Sequence, residues 1–231
     1  MRQRAQSDTQ LYTLTLLRTP TLNRDPEPSC EIVPAGLNAI MLRFERNMAT
    51  LYAALAREDT ASGADLGYMV SKYLEAKERR KAAMHTFLYW PEGAQWRDYH
   101  VTLGKPVSWA GTTAAAWLPL WAGCLPAGSE EIERVIDSLE ESGLLRPAGV
   151  LTTTAVSGQQ WDAPNAWPPL QHMLISGLER SGTHRGRELA HVLACAWLGS
   201  NFVSWRRSGF MHEKYHAEQI GESGGGGEYP C

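Results

Sequence analysis

Three stretches of this 231-residue chain concentrate side chains that could bind or cleave a polar substrate. The first, SGQQWDAPNAWPPLQ at residues 157–171, combines three glutamines, one asparagine, one aspartate and two tryptophans. Amides and carboxylates can hydrogen-bond to hydroxyl groups, and flat indole rings can pack against the apolar face of a sugar ring. Alternatively, Asp162 and Asn165 organise a turn while the tryptophans fill a core. Local chemistry leaves both interpretations open.

The second stretch, GFMHEKYH at residues 209–216, carries a glutamate between two histidines. Lys214 follows Glu213 directly. The two could form an ordinary surface ion pair, which contributes little. His212, Glu213 and His216 could also suggest a metal, but no third histidine or cysteine has convincing ligand spacing. We therefore expect no metal site, and the four scattered cysteines form no CxxC pair that would change this.

The third stretch, GESGGGGEY at residues 221–229, contains four consecutive glycines. Glycines allow a backbone to approach a ligand or another backbone closely. A phosphate-binding loop would continue into Lys-Ser or Lys-Thr and a helix, and neither is present. The run could instead be a flexible linker. However, Glu228 and the Tyr-Pro pair that follows it are not typical of linkers.

Composition narrows the classes of partner. Hydrophobic residues make up 43% and charged residues 20% of the chain, which is enough for a sizeable core. The net charge is −3 and no basic block is present, so nucleic acid is not an expected partner. No apolar run reaches the roughly 20 residues that a membrane-spanning helix needs. No apolar segment of signal-peptide type follows the first ten residues, and the compartment is left undetermined.

Apolar residues recurring at three- and four-residue steps predict an all-α fold. The first segment, residues 1–31, has no such pattern, and residues 148–166 form a long, nearly aperiodic loop of the kind that is usually functional. We expect no convincing sheet. Helices that alternate with short and long connections are typical of stacked helical hairpins and toroidal folds. The predicted helices cover residues 35–56, 64–88, 112–122, 129–142, 167–181 and 186–207.

These stretches together resemble the trehalases, glycoside hydrolases that invert configuration. SGQQWDAPNAWPPLQ is similar to a signature of that family over nearly its whole length. Four further stretches follow the family order and approximate spacing between Ile32 and Tyr229: IVPAGLNAIM, QWRDYH, MHEKYH and GGGGEY. The resemblance implies the C-terminal half of a trehalase, about half of an (α/α)6 toroid with long functional loops at one end. Residues 32–231 would then be a partial catalytic domain.

The resemblance implies hydrolysis of α,α-trehalose to two glucoses without a metal or organic cofactor. In inverting glycosidases one carboxylic acid protonates the glycosidic oxygen, and a second carboxylate, roughly 6.5–9.5 Å away, deprotonates the attacking water. Glu213 stands at the family's general base. Trp167 stands at the tryptophan that packs on the sugar, and Glu228 at a glutamate that hydrogen-bonds glucose hydroxyls. The other signature positions expected to line or shape the pocket are Asp162, Asn165 and Gln159.

The chain departs from the family at several positions. Ala166 replaces a glycine, which would strain a tight turn, and His216 replaces the usual Asp or Asn. The family's general acid lies in a Trp-Asp-Phe/Tyr-Ser-Ser-Arg segment shortly before the IVP element. This chain reads LYTLTLLRTP there, and the nearest carboxylates, Asp8 and Asp25, lack the flanking residues.

These departures predict an inactive fragment of an enzyme. The alternatives are a non-catalytic fragment that binds sugar or serves a structural role, and another toroidal glycosidase that acts on a different α-glucoside. Half a toroid would also expose a wide apolar face that the missing helices normally cover, so we expect poor solubility or self-association.

Overall fold

The computed structural model describes residues 31–58, 63–109 and 111–226. They fall into two compact units, one running up to Trp90 and resuming over Trp96–Val107, the other comprising Pro91–Gln95 and the chain from Ser108 onward. Apart from its last residue, the irregular segment predicted for residues 1–31 lies outside the described residues. Across the described ranges, every helix is too short or too polar to span a bilayer.

The first unit is built on two long helices, α1 (Ala35–Glu58) and α2 (Gly63–Phe87). The buried side of α1 is formed mainly by small residues, so α2 can approach it closely. Arg80 of α2 enters this interface and pairs with Glu45, donating from Nε at 3.0 Å and from Nη2 at 2.8 Å to Oε1. Its Nη1 donates to Asn38 Oδ1 at 2.7 Å. Because all three side chains are buried, these bonds determine which turns of the two helices face each other.

Short strands of two residues each accompany these helices. They are β1 (Ile32–Val33), β2 (Tyr89–Trp90), β3 (Gln95–Trp96), β4 (Tyr99–His100) and β5 (Lys105–Pro106). β1, β4 and β5 form one antiparallel sheet, in which Val33 pairs with Tyr99 and Tyr99 with Pro106. Next to β4, Asp98 Oδ1 accepts a hydrogen bond from Ala35 N at 2.8 Å. A carboxylate at this helix end satisfies an unpaired amide and complements the helix dipole.

The second unit contains the remaining helices. They are α3 (Leu118–Ala122), α4 (Glu130–Glu141), α5 (Pro168–Glu179) and α6 (His184–Ser208). The helix predicted over 112–122 is shorter than expected, because a 3-10 turn at Ala114–Trp117 precedes α3 and Pro119 occupies its first turn. The short strands of this unit are β6 (Leu145–Arg146), β7 (Gly149–Val150), β8 (Asn165–Ala166) and β9 (Tyr215–His216).

The core of the second unit contains a layer of aliphatic side chains from α4, to which Trp117 is joined by hydrogen bonds. Helix α4 buries residues at positions i, i+3, i+4 and i+7, and Trp117 Nε1 donates to Val135 O at 3.2 Å and to Ser138 Oγ at 3.0 Å. At the start of α6, Thr183 Oγ1 accepts from Gly186 N at 2.9 Å. Gly209, with φ of 80°, ends α6 and is the first residue of the glutamate-bearing stretch.

Large apolar side chains are also exposed on helices of both units. On α6, Leu198, Phe202 and Trp205 follow one another at four- and three-residue steps and face solvent. On α1, Leu51 and Leu55 are exposed in the same way. These exposed apolar residues agree with the apolar face that half a toroid is expected to expose. Self-association through it stays a prediction.

Candidate functional site

A two-residue strand pair brings two of the chemically rich stretches together. β8 pairs antiparallel with β9, so that Asn165 lies opposite His216 and Ala166 opposite Tyr215. Beyond the pair, Ala217 N donates to Pro164 O at 2.8 Å. The signature loop (residues 157–167) therefore lies directly against the glutamate loop (residues 209–216).

The glycine loop (residues 221–226) joins the same cluster through Asn165. This buried amide donates from Nδ2 to Gly225 O at 2.9 Å and accepts from Gly225 N at 3.0 Å. Gly224 N donates to Lys214 O at 3.0 Å. A Cβ at Gly224 would lie 2.6 Å from Asn165 Oδ1, and one at Gly226 would lie 2.6 Å from Gly158 O. These glycines thus allow close approach between loops, which favours that interpretation over a flexible linker.

Glu213 lies at the junction of the loops with its carboxylate open to solvent. Its side chain is 65% exposed, whereas the neighbouring Lys214 is buried and places Nζ 3.8 Å from Glu213 Oε2. Tyr215 is fully buried, contacts Trp197 edge to face at 5.2 Å and accepts from His212 N at 3.0 Å through its hydroxyl. The glutamate is therefore held by two anchored neighbours on one side, with a positive charge beside its carboxylate.

Trp167, the residue predicted to pack on the sugar, is largely enclosed. It is 7% exposed, and its Nε1 donates to Gln160 O at 2.9 Å. The Trp161 ring stacks on it with centroids 3.9 Å apart and an interplanar angle of 10°. Lys214 Nζ lies over the Trp167 ring at 5.5 Å from its centroid. Trp161 is not among the site residues predicted from the sequence, although the stretch contains two tryptophans six residues apart.

Asp162 and Gln159 form a tight turn within the signature loop. Asp162 N donates to Gln159 O at 3.1 Å, and Asn165 N donates to Asp162 O at 3.0 Å. The Asp162 carboxylate accepts a hydrogen bond from Ser157 Oγ. These contacts favour the turn-organising interpretation for Asp162, while Gln159 has an exposed side chain at the loop surface.

The third glutamine of the signature stretch has a structural role. Gln171 is 1% exposed, and its amide accepts from Val150 N at 2.8 Å and donates to Val150 O at 2.6 Å. Both ends of the side-chain amide are thus used on the backbone of β7. Gly149, with φ of 148°, leaves room for this contact, since a Cβ there would lie 3.2 Å from Gln171 Oε1 and 2.9 Å from Trp197.

The two departures on β8 and β9 are accommodated without strain. Ala166 is fully buried in β8, and Ala94 is the one non-glycine residue of the described ranges with positive φ. The expectation that Ala166 strains a tight turn is therefore wrong, because its backbone is extended and pairs with β9. His216 Nδ1 accepts from Glu218 N at 3.2 Å, and its backbone pairs with Asn165.

Three carboxylates, Asp8, Asp25 and Glu228, lie outside the described residues. Within the described part of the chain, no group of three or more His, Cys, Asp or Glu side chains is arranged to hold a metal ion. A cavity of 410 Å³ lies elsewhere, along the first half of α6. None of the predicted site residues lines this cavity. The predicted site residues lie instead where the signature, glutamate and glycine loops meet.

Comparison with known proteins identifies the family. The family model described as Trehalase matches residues 5–231, and the chain therefore belongs to the trehalase family. A probable trehalase of Oryza sativa subsp. japonica is 38% identical, covering 87% of this chain and 37% of that protein. The trehalase of Homo sapiens is 34% identical, covering 86% and 32%. The chain spans about a third of the length of these curated relatives.

Solved structures support the fold. The neutral trehalase of Saccharomyces cerevisiae superimposes with a TM-score of 0.64 at 19% identity, covering 84% of this chain and 36% of that one. A GH63 mannosylglycerate hydrolase from Thermus thermophilus, in complex with glucose, gives 0.64 at 22% identity, covering 86% and 45%. With the mainly helical structure, these likenesses confirm the expected fold class, part of an (α/α)6 toroid. The resemblance to the glycoside hydrolases called trehalases is confirmed as well.

Proposed function

We propose that this chain carries the general-base side of a site that hydrolyses α,α-trehalose, with Glu213 as the base. The observation that supports this is the exposed carboxylate at the junction of three loops, beside the buried Lys214. The relatives named as trehalases support the substrate. Asn165 ties the signature loop to the glycine loop, and in this proposal Glu228, two residues beyond the described end of that loop, hydrogen-bonds the sugar.

In the proposed reaction, Glu213 removes a proton from a water molecule as that water attacks the anomeric carbon. The carbon–oxygen bond breaks on the opposite face, and the configuration inverts. The solvent-exposed position of Glu213 leaves space for water between the carboxylate and a bound sugar. The departing glucose requires a proton from an acid on the far side of the sugar.

We further propose that this chain alone does not turn over trehalose. The residues before the IVP element lack the family's acid-bearing segment, and Asp8 and Asp25 lack its flanking residues. The same feature favours a second candidate function, sugar binding without turnover. Action on a different α-glucoside has no comparable observation in its support.

Two substrates test the contributions of the general base and the general acid separately. α-Glucosyl fluoride needs a base to activate water, but its fluoride leaves without being protonated. Trehalose needs both groups. We expect the wild-type chain to hydrolyse the fluoride and not trehalose, and Glu213→Gln to hydrolyse neither. Glu218→Gln is the matched control, because Glu218 is an exposed glutamate close in sequence that pairs with Arg146 at 3.2 Å.

Each outcome has a distinct meaning. Turnover of trehalose that depends on Glu213 would show that an acid is present and overturn the inactive-fragment proposal. Equal fluoride hydrolysis by wild type and Glu213→Gln would overturn the base assignment. Absence of both turnover and measurable trehalose binding in a folded chain would overturn the sugar site itself.

A further inference from the structure

The side chain of Glu213 is exposed, so its position depends on the backbone that carries it. The carboxylate is 65% exposed, and its ion pair with Lys214 spans 3.8 Å, which is too long for a hydrogen bond. A base must nevertheless lie within hydrogen-bonding reach of the water that it activates. The fold can therefore direct this carboxylate mainly through the backbone of residues 212–214.

The hydroxyl of Tyr215 returns to the backbone immediately before Glu213. Tyr215 lies two residues after Glu213, and its hydroxyl oxygen accepts a hydrogen bond from His212 N at 3.0 Å. The same hydroxyl donates to Met211 Sδ at 4.0 Å, a weak acceptor. The bond to His212 closes a turn of four residues that contains Glu213. Because Tyr215 is fully buried, its hydroxyl gives this turn a fixed point.

Both sides of this turn are attached to α6. Trp197 contacts the Tyr215 ring edge to face, with the centroids 5.2 Å apart. Ser208 Oγ, at the last residue of α6, lies 3.4 Å from His212 Nε2, and the His212 ring meets the Tyr215 ring edge to face at 5.7 Å. The helix therefore holds the residue before Glu213 and the second residue after it.

We propose that Tyr215 is a positioning residue for the proposed base. Its hydroxyl fixes the backbone at His212 and so directs the Glu213 carboxylate toward the attacking water. This inference rests on the proposed function of Glu213. Tyr215 is buried and acts through the backbone, without contact with the sugar.

A purely structural role for the hydroxyl makes a different prediction. If it only satisfied the His212 amide, its removal would lower the free energy of unfolding and leave the folded protein equally active. If it positions Glu213, its removal lets the carboxylate sample unproductive orientations, and kcat falls. KM changes little in that case, because the residues that bind the sugar are unaltered.

The test is hydrolysis of α-glucosyl fluoride by the full chain, with kcat and KM measured separately. Tyr215→Phe removes the hydroxyl and keeps the ring. We expect kcat to fall by about 10-fold and KM to stay within about 2-fold of wild type, because displacing a reacting group slows the chemical step. The His212 amide should also exchange faster with solvent. Tyr68→Phe is the control, since Tyr68 is 67% exposed on α2.

Ser208→Ala tests the other attachment, because it removes the hydroxyl next to His212 and leaves Tyr215 unchanged. We expect it to lower kcat by a smaller factor than Tyr215→Phe, again with little change in KM. Circular dichroism establishes which variants are folded. If Tyr215→Phe does not fold, Ser208→Ala decides: a lowered kcat supports the positioning role, and an unchanged kcat overturns it.

The results separate this inference from the function on which it rests. A lower kcat in folded Tyr215→Phe, with KM and the Tyr68→Phe control close to wild type, supports the positioning role. An unchanged kcat, or a rise in KM alone, overturns that role and leaves Glu213 as the base. If the wild-type chain shows no hydrolysis that depends on Glu213, the proposed function is overturned and this inference with it.

Discussion

Asn165→Ala is the substitution that most directly tests how the three loops are held together. The side chain makes two hydrogen bonds to a single residue, donating to Gly225 O at 2.9 Å and accepting from Gly225 N at 3.0 Å. Alanine removes both bonds and leaves β8 and its backbone pairing in place.

The expected magnitude follows from these two bonds. Each contributes about 0.5–1.5 kcal/mol net, and an orphaned buried group would add to the loss. Gly225 is exposed, so water can replace the lost partner and the larger penalty does not apply. We therefore expect the free energy of unfolding to fall by about 1–3 kcal/mol. Trehalose affinity should also fall, because the glycine loop is no longer fixed against the signature loop.

Urea unfolding and amide hydrogen exchange measure these effects. The Gly225 amide should exchange faster in Asn165→Ala than in wild type, while amides in α4 should be little changed. Asn47→Ala is the control, since Asn47 is exposed on α1 and alanine favours helix. An unchanged Gly225 exchange rate, together with an unfolding free energy within about 0.5 kcal/mol of wild type, would refute the role given to Asn165.

Three further predictions concern packing and association. Arg80→Met should lower the unfolding free energy by about 3–5 kcal/mol because Glu45 is left charged and buried, and the double variant with Glu45→Met should recover most of it in urea unfolding. Recovery of less than half would contradict this. Gly149→Ala should cost about 1–3 kcal/mol, since its φ is 148° and a Cβ would meet an indole carbon at 2.9 Å, whereas Gly67→Ala has open space on a helix and should be neutral or stabilising. Phe202→Lys should reduce self-association in sedimentation velocity, and a monodisperse wild-type monomer would count against the exposed apolar face as a contact.

The long helices could be predicted from sequence because their apolar spacing is local. The ends of α1, α2 and α6 lie within two residues of the predicted ends. The helix expected over 112–122 is too long because its apolar content continues through a 3-10 turn, and the α-helix begins only at Leu118, with Pro119 in its first turn. The strands were missed because each has two residues, too few to show the alternation that identifies a strand.

The candidate site could be predicted only in part. Glu213 and the signature stretch were visible from residue types and from the family resemblance, but their adjacency depends on the pairing of β8 with β9 across about fifty residues of chain. The role of Gln171 on the backbone of β7 and the stacking of Trp161 on Trp167 also depend on tertiary packing. Residue spacing carries no signal for such contacts.

The role of Glu213 is tested most directly by following α-glucosyl fluoride hydrolysis by NMR in the wild-type chain and in Glu213→Gln. The first product should be β-glucose, because a base-activated water attacks the face opposite the fluoride. Its rate of formation should fall at least about 100-fold in Glu213→Gln, the lower range expected for loss of a general base. A first product of α-glucose, or an unchanged rate in Glu213→Gln, would contradict the assignment.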